Sequence, residues 1–176
     1  MTGELRDSNT TVNLEDCVVH LGSGADVTLN NVTVTGGILN LHDRDTDRAR
    51  NVVRLQRVTF DSRAVLIELN DADDEFRAER LEATVAEGWS LQVAETDDDA
   101  NEGGSVRLVS STVLATGTDA PVTVTASEHS GTVELVNTTL DTRGLLLVTA
   151  ADCSARIRGN ALDCSTDALV ADVAGP

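Results

Sequence analysis

Two segments of the chain have nearly the same sequence: residues 106–113 are VRLVSSTV and residues 133–140 are VELVNTTL. Both place an apolar residue first, another two positions on, a small or polar residue fifth and an apolar residue eighth. Further copies, some of them weaker, give starts at residues 12, 27, 53, 76, 106, 133 and 155, a mean spacing of about 24 residues. Self-similarity with a period of roughly 20 to 50 residues is typical of solenoids, propellers and repeat arrays, so this repeat constrains the fold most.

The pattern within each copy indicates β-strands. Apolar and polar residues alternate with period two, Val, Thr and Leu dominate, and a helical period is absent. Each copy is followed by a short turn and a second apolar run, and these runs begin at Ile38, Val65, Trp89, Pro121, Leu145 and Asp167. The sequence therefore predicts at least two strands and one variable loop in every repeat.

A repeat of this length with two or three short strands fits a coil of parallel β-structure, in which each strand pairs with its counterpart one repeat further on. Propeller blades are longer, at about 40 residues, and leucine-rich repeats need an L-x-x-L-x-L pattern that this chain lacks. We predict an all-β fold: a single-stranded right-handed parallel β-helix, or solenoid, of about six to seven coils. Residues 12–173 form the β-helix in this interpretation, 1–11 a short N-terminal cap or arm, and 174–176 a C-terminal tail.

The segments VTLNNVTVTGG from Val27 and VELVNTTLDTRG from Val133 resemble coils of the pectin-lyase-like right-handed parallel β-helix proteins. The resemblance covers residues 12 to about 173 and concerns the fold. It implies polysaccharide lyases or hydrolases as one functional class, and viral capsid decorations, turrets and tail fibres as another. Bactofilins, the polymerising β-helix proteins of the cytoskeleton, are a second comparison, although their coils are shorter and richer in glycine than the 13 Gly here.

The chain is strongly acidic. It has 30 Asp and Glu against 13 basic residues, all of them arginine, and a formal net charge of −17. A composition rich in carboxylates and without lysine resembles that of proteins from extreme halophiles. In molar salt the screening length falls to about 3 Å, which weakens the repulsion between these charges. A mesophilic acidic protein is the alternative. Because a surface of this sign repels phosphate, we expect no nucleic-acid partner.

The N-terminal residues 1–11 lack the apolar region of a signal peptide, and no stretch approaches the length of a membrane span. We expect a soluble chain without membrane insertion, on a virion surface or outside the cell, with the cytoplasm as the alternative. The three cysteines, Cys17, Cys153 and Cys164, form no C-x-x-C pair. Buried free thiols and a disulfide between Cys153 and Cys164 both stay open.

Acidic loops follow the second strands of several repeats. The loop ETDDDANEGG contains Asp97, Asp98 and Asp99, which are the candidate metal ligands because Ca²⁺ takes six to eight oxygen ligands. None of the loops matches the D-x-D-x-D-G pattern or the G-G-x-G-x-D repeat, so a solvated acidic surface is favoured and a specific metal site is the alternative. Apart from this candidate Ca²⁺, the sequence predicts no cofactor.

Enzymatic chemistry finds little support in the sequence. The chain has no lysine to act as the base of a lyase, and the usual hydrolase signatures do not occur. Trp89, Phe60 and Phe76 are the only aromatic residues of the Phe, Trp and Tyr types, and their strand positions predict a place in the core rather than a platform for sugar rings. We predict that the protein is not an enzyme.

Single polar residues have structural interpretations. Asn31 and Asn137 begin N-x-T sequons but stand at the fifth template position, where a strand-end turn with Asn stacking is expected. His20, His42 and His129 lie in different repeats without metal-ligand spacing, so isolated surface or turn histidines are predicted.

One feature indicates subunit contact. In the second strands, alternation assigns five apolar residues to the interior: Leu39, Ile67, Leu91, Val122 and Leu147. Four neighbouring apolar residues then point outward: Ile38, Leu66, Leu146 and Val148. Strands that are apolar on both faces are usually covered on both, so we predict an interface here, with chance exposure as the alternative. The expected partner is a second copy, for example in a trimer, or a larger protein assembly.

These observations favour a non-enzymatic structural protein that assembles through its β-helix faces. A surface component of a virion of a haloarchaeal virus, such as a capsid decoration, turret or tail-fibre module, is the first interpretation. A bactofilin-like polymerising protein of a haloarchaeon is the second. A glycan-binding or polysaccharide-cleaving β-helix is the third.

Overall fold

The computed structural model describes residues 4–22, 24–43, 50–70, 73–93, 104–126, 131–150, 152–157, 160–163 and 169–172. All regular structure in these segments is β, and none of them contains a helix, which confirms the all-β prediction.

The strands are short, and most belong to one repeating pattern of a five-residue strand followed by a longer one. In chain order they are β1 Glu4–Ser8, β2 Thr11–Leu21, β3 Asp26–Asn30, β4 Thr33–Asp43, β5 Val52–Gln56, β6 Thr59–Leu69, β7 Glu75–Glu79, β8 Glu82–Val93, β9 Ser105–Val109, β10 Thr112–Ala115, β11 Val122–Ala126, β12 Thr132–Asp141, β13 Leu145–Thr149, β14 Asp152–Ile157, β15 Asn160–Asp163 and β16 Leu169–Asp172.

Parallel pairing between successive coils builds two ladders. The first ladder joins β1, β3, β5, β7, β9, the start of β12, and β14. The second ladder joins β2, β4, β6 and β8 along nearly their whole length. Beyond β8 it divides: β10 continues the first half of β8 towards the end of β12, and β11 continues the second half towards β13. The predicted class, a parallel β-solenoid, is therefore confirmed.

The regular part of this solenoid is shorter than predicted. It has about four turns, represented by the four long strands of the second ladder, against six to seven predicted coils.

At the C-terminal end both ladders finish with antiparallel strands. β15 pairs antiparallel with β14, and β16 pairs antiparallel with β13. β14, the first strand of the predicted last coil, does pair parallel with β12, but Cys153 rather than Ala155 stands opposite Val133, so the predicted start at residue 155 is two residues late. The continuation of this coil in β15, and the second run from Asp167 in β16, are antiparallel, so their prediction as parallel strands is wrong. The paired residues Ile157 and Asn160 are close in the chain, and such a tight reversal is compatible only with antiparallel pairing.

The eight-residue template now has a structural meaning. Its first and third positions, such as Val53 and Leu55, are buried from the first ladder, and its eighth, such as Phe60, is buried from the second. The fifth position has positive φ at Asn31, Arg57, Arg80, Ser110 and Asn137. This left-handed conformation turns the chain from one ladder into the other, and Asn tolerates it better than most residues. The predicted turn role of Asn31 and Asn137 is confirmed.

The first copy of the template begins earlier than the sequence indicated. Leu5 pairs with Val27, and Asn9 has the positive φ of a fifth position at 58°. Val12 pairs with Val34 and is thus the eighth residue of this copy, not the first of another. The predicted start at residue 12 is wrong, and the segment assigned to a cap or arm contains β1, the first strand of the ladder.

The core is a stack of side chains between the ladders. Phe60 and Trp89 meet edge to face with ring centroids 6.0 Å apart, and Phe76 is fully buried. Removing a side chain of this size from water contributes about 1.5–3 kcal/mol. The predicted core positions of these three aromatic residues are confirmed.

A bend divides each long strand of the second ladder into two halves. In β4 the pairing with β2 is interrupted at Gly37, where an added Cβ would lie 1.4 Å from the carbonyl oxygen of Glu15. A side chain therefore does not fit at this point, and irregular pairing of this kind bends a strand. The bend gives the second halves an outer surface of their own.

Candidate assembly surface

The outward side chains of the second halves form two columns across six strands. One column contains Val18, Asn40, Leu66, Ser90, Thr123 and Leu147, and the other contains His20, His42, Glu68, Gln92, Thr125 and Thr149. We call these two columns the low-charge face. Glu68 is its one carboxylate, although the chain has 30 Asp and Glu.

Large apolar side chains stand in the first of these columns. Val18 is 56% exposed and Leu66 is 38% exposed, with Asn40 between them in the ladder. Ile38, beside this column, is half-buried. The outward direction predicted for Leu66 is therefore confirmed. Val18 was missed, because the first coil was aligned from the wrong residue.

Two of the four predicted interface residues do not face outward. Leu146 is 6% exposed and Val148 is 1% exposed, whereas Leu145 is 44% exposed. Leu146 pairs with the buried Val122 of β11, which sets the phase of β13. The outward placement of Leu146 and Val148, and the interior placement of Leu147, are wrong. The run LLLV is continuously apolar, so alternation alone does not determine which residues point inward.

The other four interior assignments were correct. The structure buries Leu39, Ile67, Leu91 and Val122 in the core.

The second column brings three functional groups together. His20, His42 and Glu68 occupy paired positions in β2, β4 and β6. The imidazole rings lie edge to face with centroids 6.3 Å apart, and His42 Nδ1 is 2.7 Å from Glu68 Oε2. Sequence reasoning treated the histidines as isolated. The indication in the sequence is that His20 and His42 are separated by one coil. It can be recognised only once the length of that coil is known.

Buried polar groups lie where the acidic loops leave the solenoid. The side chain of Asn51 donates from Nδ2 to Asp43 Oδ2 over 2.8 Å and accepts the Ala25 N–H at Oδ1 over 2.8 Å. The Asn51 N–H donates to Asp74 Oδ1 over 2.6 Å. Asp43, Asn51 and Asp74 are all at most 1% exposed. These loop ends, which the sequence assigned to a solvated surface, therefore connect neighbouring coils inside the fold.

The candidate metal ligands Asp97, Asp98 and Asp99 lie outside the described residues. Within the segments that the structure does describe, no group of three or more His, Cys, Asp and Glu is placed to hold a metal ion.

A shallow groove of about 580 Å³ lies on the outer side of the first ladder and is lined by Arg54, Arg77 and Arg107, among others. These residues occupy paired positions in β5, β7 and β9. Each guanidinium has a carboxylate partner: Asp26 for Arg54, Glu75 for Arg77 and Glu134 for Arg107. The groove therefore presents compensated charges rather than a free basic patch.

Cys17 carries a free, half-buried thiol. The pairing of Cys153 with Cys164 lies outside what the structure describes. In the described part of the chain there is no helix long and apolar enough to cross a membrane.

Comparisons with protein families, with curated protein sequences and with solved structures gave no match. The described residues define the class of protein from the structure alone. It is a parallel β-solenoid protein, and its low-charge face carries one carboxylate.

Proposed function

We propose that this protein is a non-enzymatic structural protein that associates with copies of itself through the low-charge face. One observation carries this proposal: in a chain of net charge −17, Val18 and Leu66 stand exposed in a surface with a single carboxylate. Exposed apolar groups grouped on an otherwise polar protein mark contact sites more often than isolated ones do.

The size of the face sets a limit on the contact it can make alone. Six strands at about 4.8 Å spacing and five residues in width give a flat area of roughly 400–500 Å². A standard interface buries about 800 Å² on each partner, so one such face is small for a stable dimer. In a trimer around this face the two neighbours would share the same area, so a stable contact of either kind also has to include surface beside the two columns.

The C-terminal end also bears on the mode of assembly. End-to-end polymerisation of bactofilin type requires open strand edges at both ends of the solenoid. At the C-terminal end the edge strands of both ladders are the antiparallel strands β15 and β16, and each has only four residues, which makes a poor template for a further coil. This arrangement supports the closed oligomer rather than the filament.

The finer proposal is a pectin-lyase-like β-helix on the virion surface of a haloarchaeal virus. The excess of carboxylates over arginines and the absence of lysine support the halophilic part. Such a surface repels itself at low ionic strength, so the unfolding midpoint is expected to rise steeply between 0.1 and 2 M KCl, as the screening length falls from about 10 Å to below about 3 Å. Full stability in dilute buffer would contradict it.

Sedimentation velocity of the purified chain tests the assembly proposal. The experiment is done in 2 M KCl, where the screening length is below about 3 Å. We expect a species whose mass is a small multiple of 18.5 kDa. Open filaments would favour the bactofilin-like alternative. A monomer throughout the micromolar range would overturn the proposal.

A further inference from the structure

The in-register column of His20, His42 and Glu68 has the composition of a metal site. The two imidazoles are neighbours on adjacent strands, with ring centroids 6.3 Å apart and an interplanar angle of 74°. The His42 side chain is 28% exposed and the Glu68 side chain 42%, so both reach solvent. Imidazole nitrogen is a preferred ligand of Zn²⁺, Cu²⁺ and Ni²⁺.

We propose that His20 and His42 together bind one divalent transition-metal ion, with Glu68 as the residue that positions His42. The Glu68 carboxylate lies 2.7 Å from Nδ1 of His42, which leaves Nε2 of that ring as the ligand atom. A histidine ligand whose second nitrogen bonds a carboxylate is a common arrangement in metal sites, because the carboxylate fixes the ring and raises its basicity.

The distance between the ring centroids is longer than one shared ion requires. Two imidazoles that hold one tetrahedral Zn²⁺ at about 2.0–2.1 Å have ring centroids about 5 Å apart. The rings therefore need to approach by roughly 1 Å, and His20, which is exposed, is free to rotate its side chain by that amount. Water fills the other positions. Two protein ligands are consistent with the lack of any three-residue group among the described side chains.

The ligand chemistry separates this site from the acidic loops. Ca²⁺ and Mg²⁺ prefer oxygen ligands, so neither competes effectively for two imidazoles. An ion bound by loop carboxylates would instead be displaced by excess Ca²⁺. The site lies on the low-charge face, but both ligands come from one chain, so one ion per chain is expected whether or not the chains associate.

Isothermal titration of the untagged protein with Zn²⁺ tests the site. We expect one ion per chain, and loss of binding in both His20→Ala and His42→Ala. The matched control is Thr35→Ala, in the first half of β4 and outside the low-charge face, which should bind as the parent does. Excess Ca²⁺ should leave the Zn²⁺ isotherm unchanged. Far-UV circular dichroism and unfolding in EDTA establish that each variant is folded.

Glu68→Gln separates the positioning role from a structural one. It should weaken Zn²⁺ binding by about tenfold while leaving the stoichiometry and the metal-free unfolding midpoint unchanged. Zn²⁺ should raise the unfolding midpoint of the parent but not of either histidine variant. Binding that survives both histidine substitutions, or that Ca²⁺ displaces, would overturn the proposal. One ion per two chains would also do so, since the site would then lie between copies.

Discussion

Asn31 donates a hydrogen bond from Nδ2 to Oδ1 of Asn9, one coil earlier, over 2.7 Å, and both residues have positive φ. The Asn31 N–H continues the ladder towards the next coil, donating to the Gln56 carbonyl over 2.8 Å. The corner residue of each coil is thus held in a left-handed conformation by its neighbours. This requirement at one residue per coil explains why the fifth template position is so often small or polar.

The corner conformation predicts opposite effects of glycine at two adjacent residues. Arg80→Gly should raise the free energy of unfolding by up to about 1 kcal/mol, because Arg80 has a φ of 55° that glycine adopts without strain. Its ion pair with Glu79 is long, at 3.9 Å, and exposed, so its loss matters little. Glu79→Gly, at the last residue of β7, should lower the free energy of unfolding by about 0.5–1 kcal/mol, because its backbone is held in the ladder between β5 and β9. Urea titration measures both, and a loss of equal size at Arg80 would contradict the corner assignment.

Asn51 should be far more important for stability than its position beside an acidic loop suggests. Asn51→Ala removes the donor to Asp43 and the acceptor of the Ala25 N–H, and it leaves a buried carboxylate with one partner fewer. We expect a loss of about 3 kcal/mol in the free energy of unfolding. Asn40→Ala, on the low-charge face, is the control and should change it by at most about 0.5 kcal/mol. Similar values for the two variants would refute the role of Asn51 as a link between coils.

Two adjacent leucines in β13 should respond differently to the same substitution. Leu146→Asp places a charge in the core, because Leu146 is 6% exposed, and should cost about 3 kcal/mol or more of stability. Leu145→Asp should be tolerated within about 1 kcal/mol, because Leu145 is 44% exposed. The thermal unfolding midpoints of both variants show which of the two leucines faces the core. The reverse order would restore the assignment that alternation in the sequence favoured.

Leu66→Asp tests the low-charge face directly. Because Leu66 is exposed, the substitution should weaken self-association at least tenfold and leave the unfolding midpoint nearly unchanged. Leu114→Asp is a matched control: Leu114 is half-buried in β10, away from the low-charge face, and its replacement should not affect association. Analytical ultracentrifugation measures association, and circular dichroism verifies folding. Equal loss in both variants would show that added negative charge, rather than the face, governs the effect.

Much of the solenoid was accessible from the sequence, because each coil repeats one local pattern. Val27, Val53, Phe76, Val106 and Val133 were aligned from the sequence as equivalent positions, and the ladder pairs them in that order. The first copy was misread. Its third position is Asp7, which pairs with Leu29, so the apolar signal was weaker there than in the strand that follows.

The candidate sites were harder to predict than the fold. Contacts such as His42 with Glu68 join residues from different coils, and the coils differ in length, so spacing in the chain does not give their alignment. The burial of Asp43 and Asp74 could likewise not be predicted from the sequence. An aspartate in an acidic segment is expected to be solvated unless its hydrogen-bond partners are known.

The sequence by itself determined the class of fold, the corner residues and the aromatic core, since these depend on alternation and turn preference within a single coil. Tertiary structure decided which residues of continuously apolar runs face outward, how the last strands reverse, and which polar groups meet across coils. Those features depend on the register between strands that are a whole coil apart, and register is fixed by the sum of many pairings rather than by any one segment.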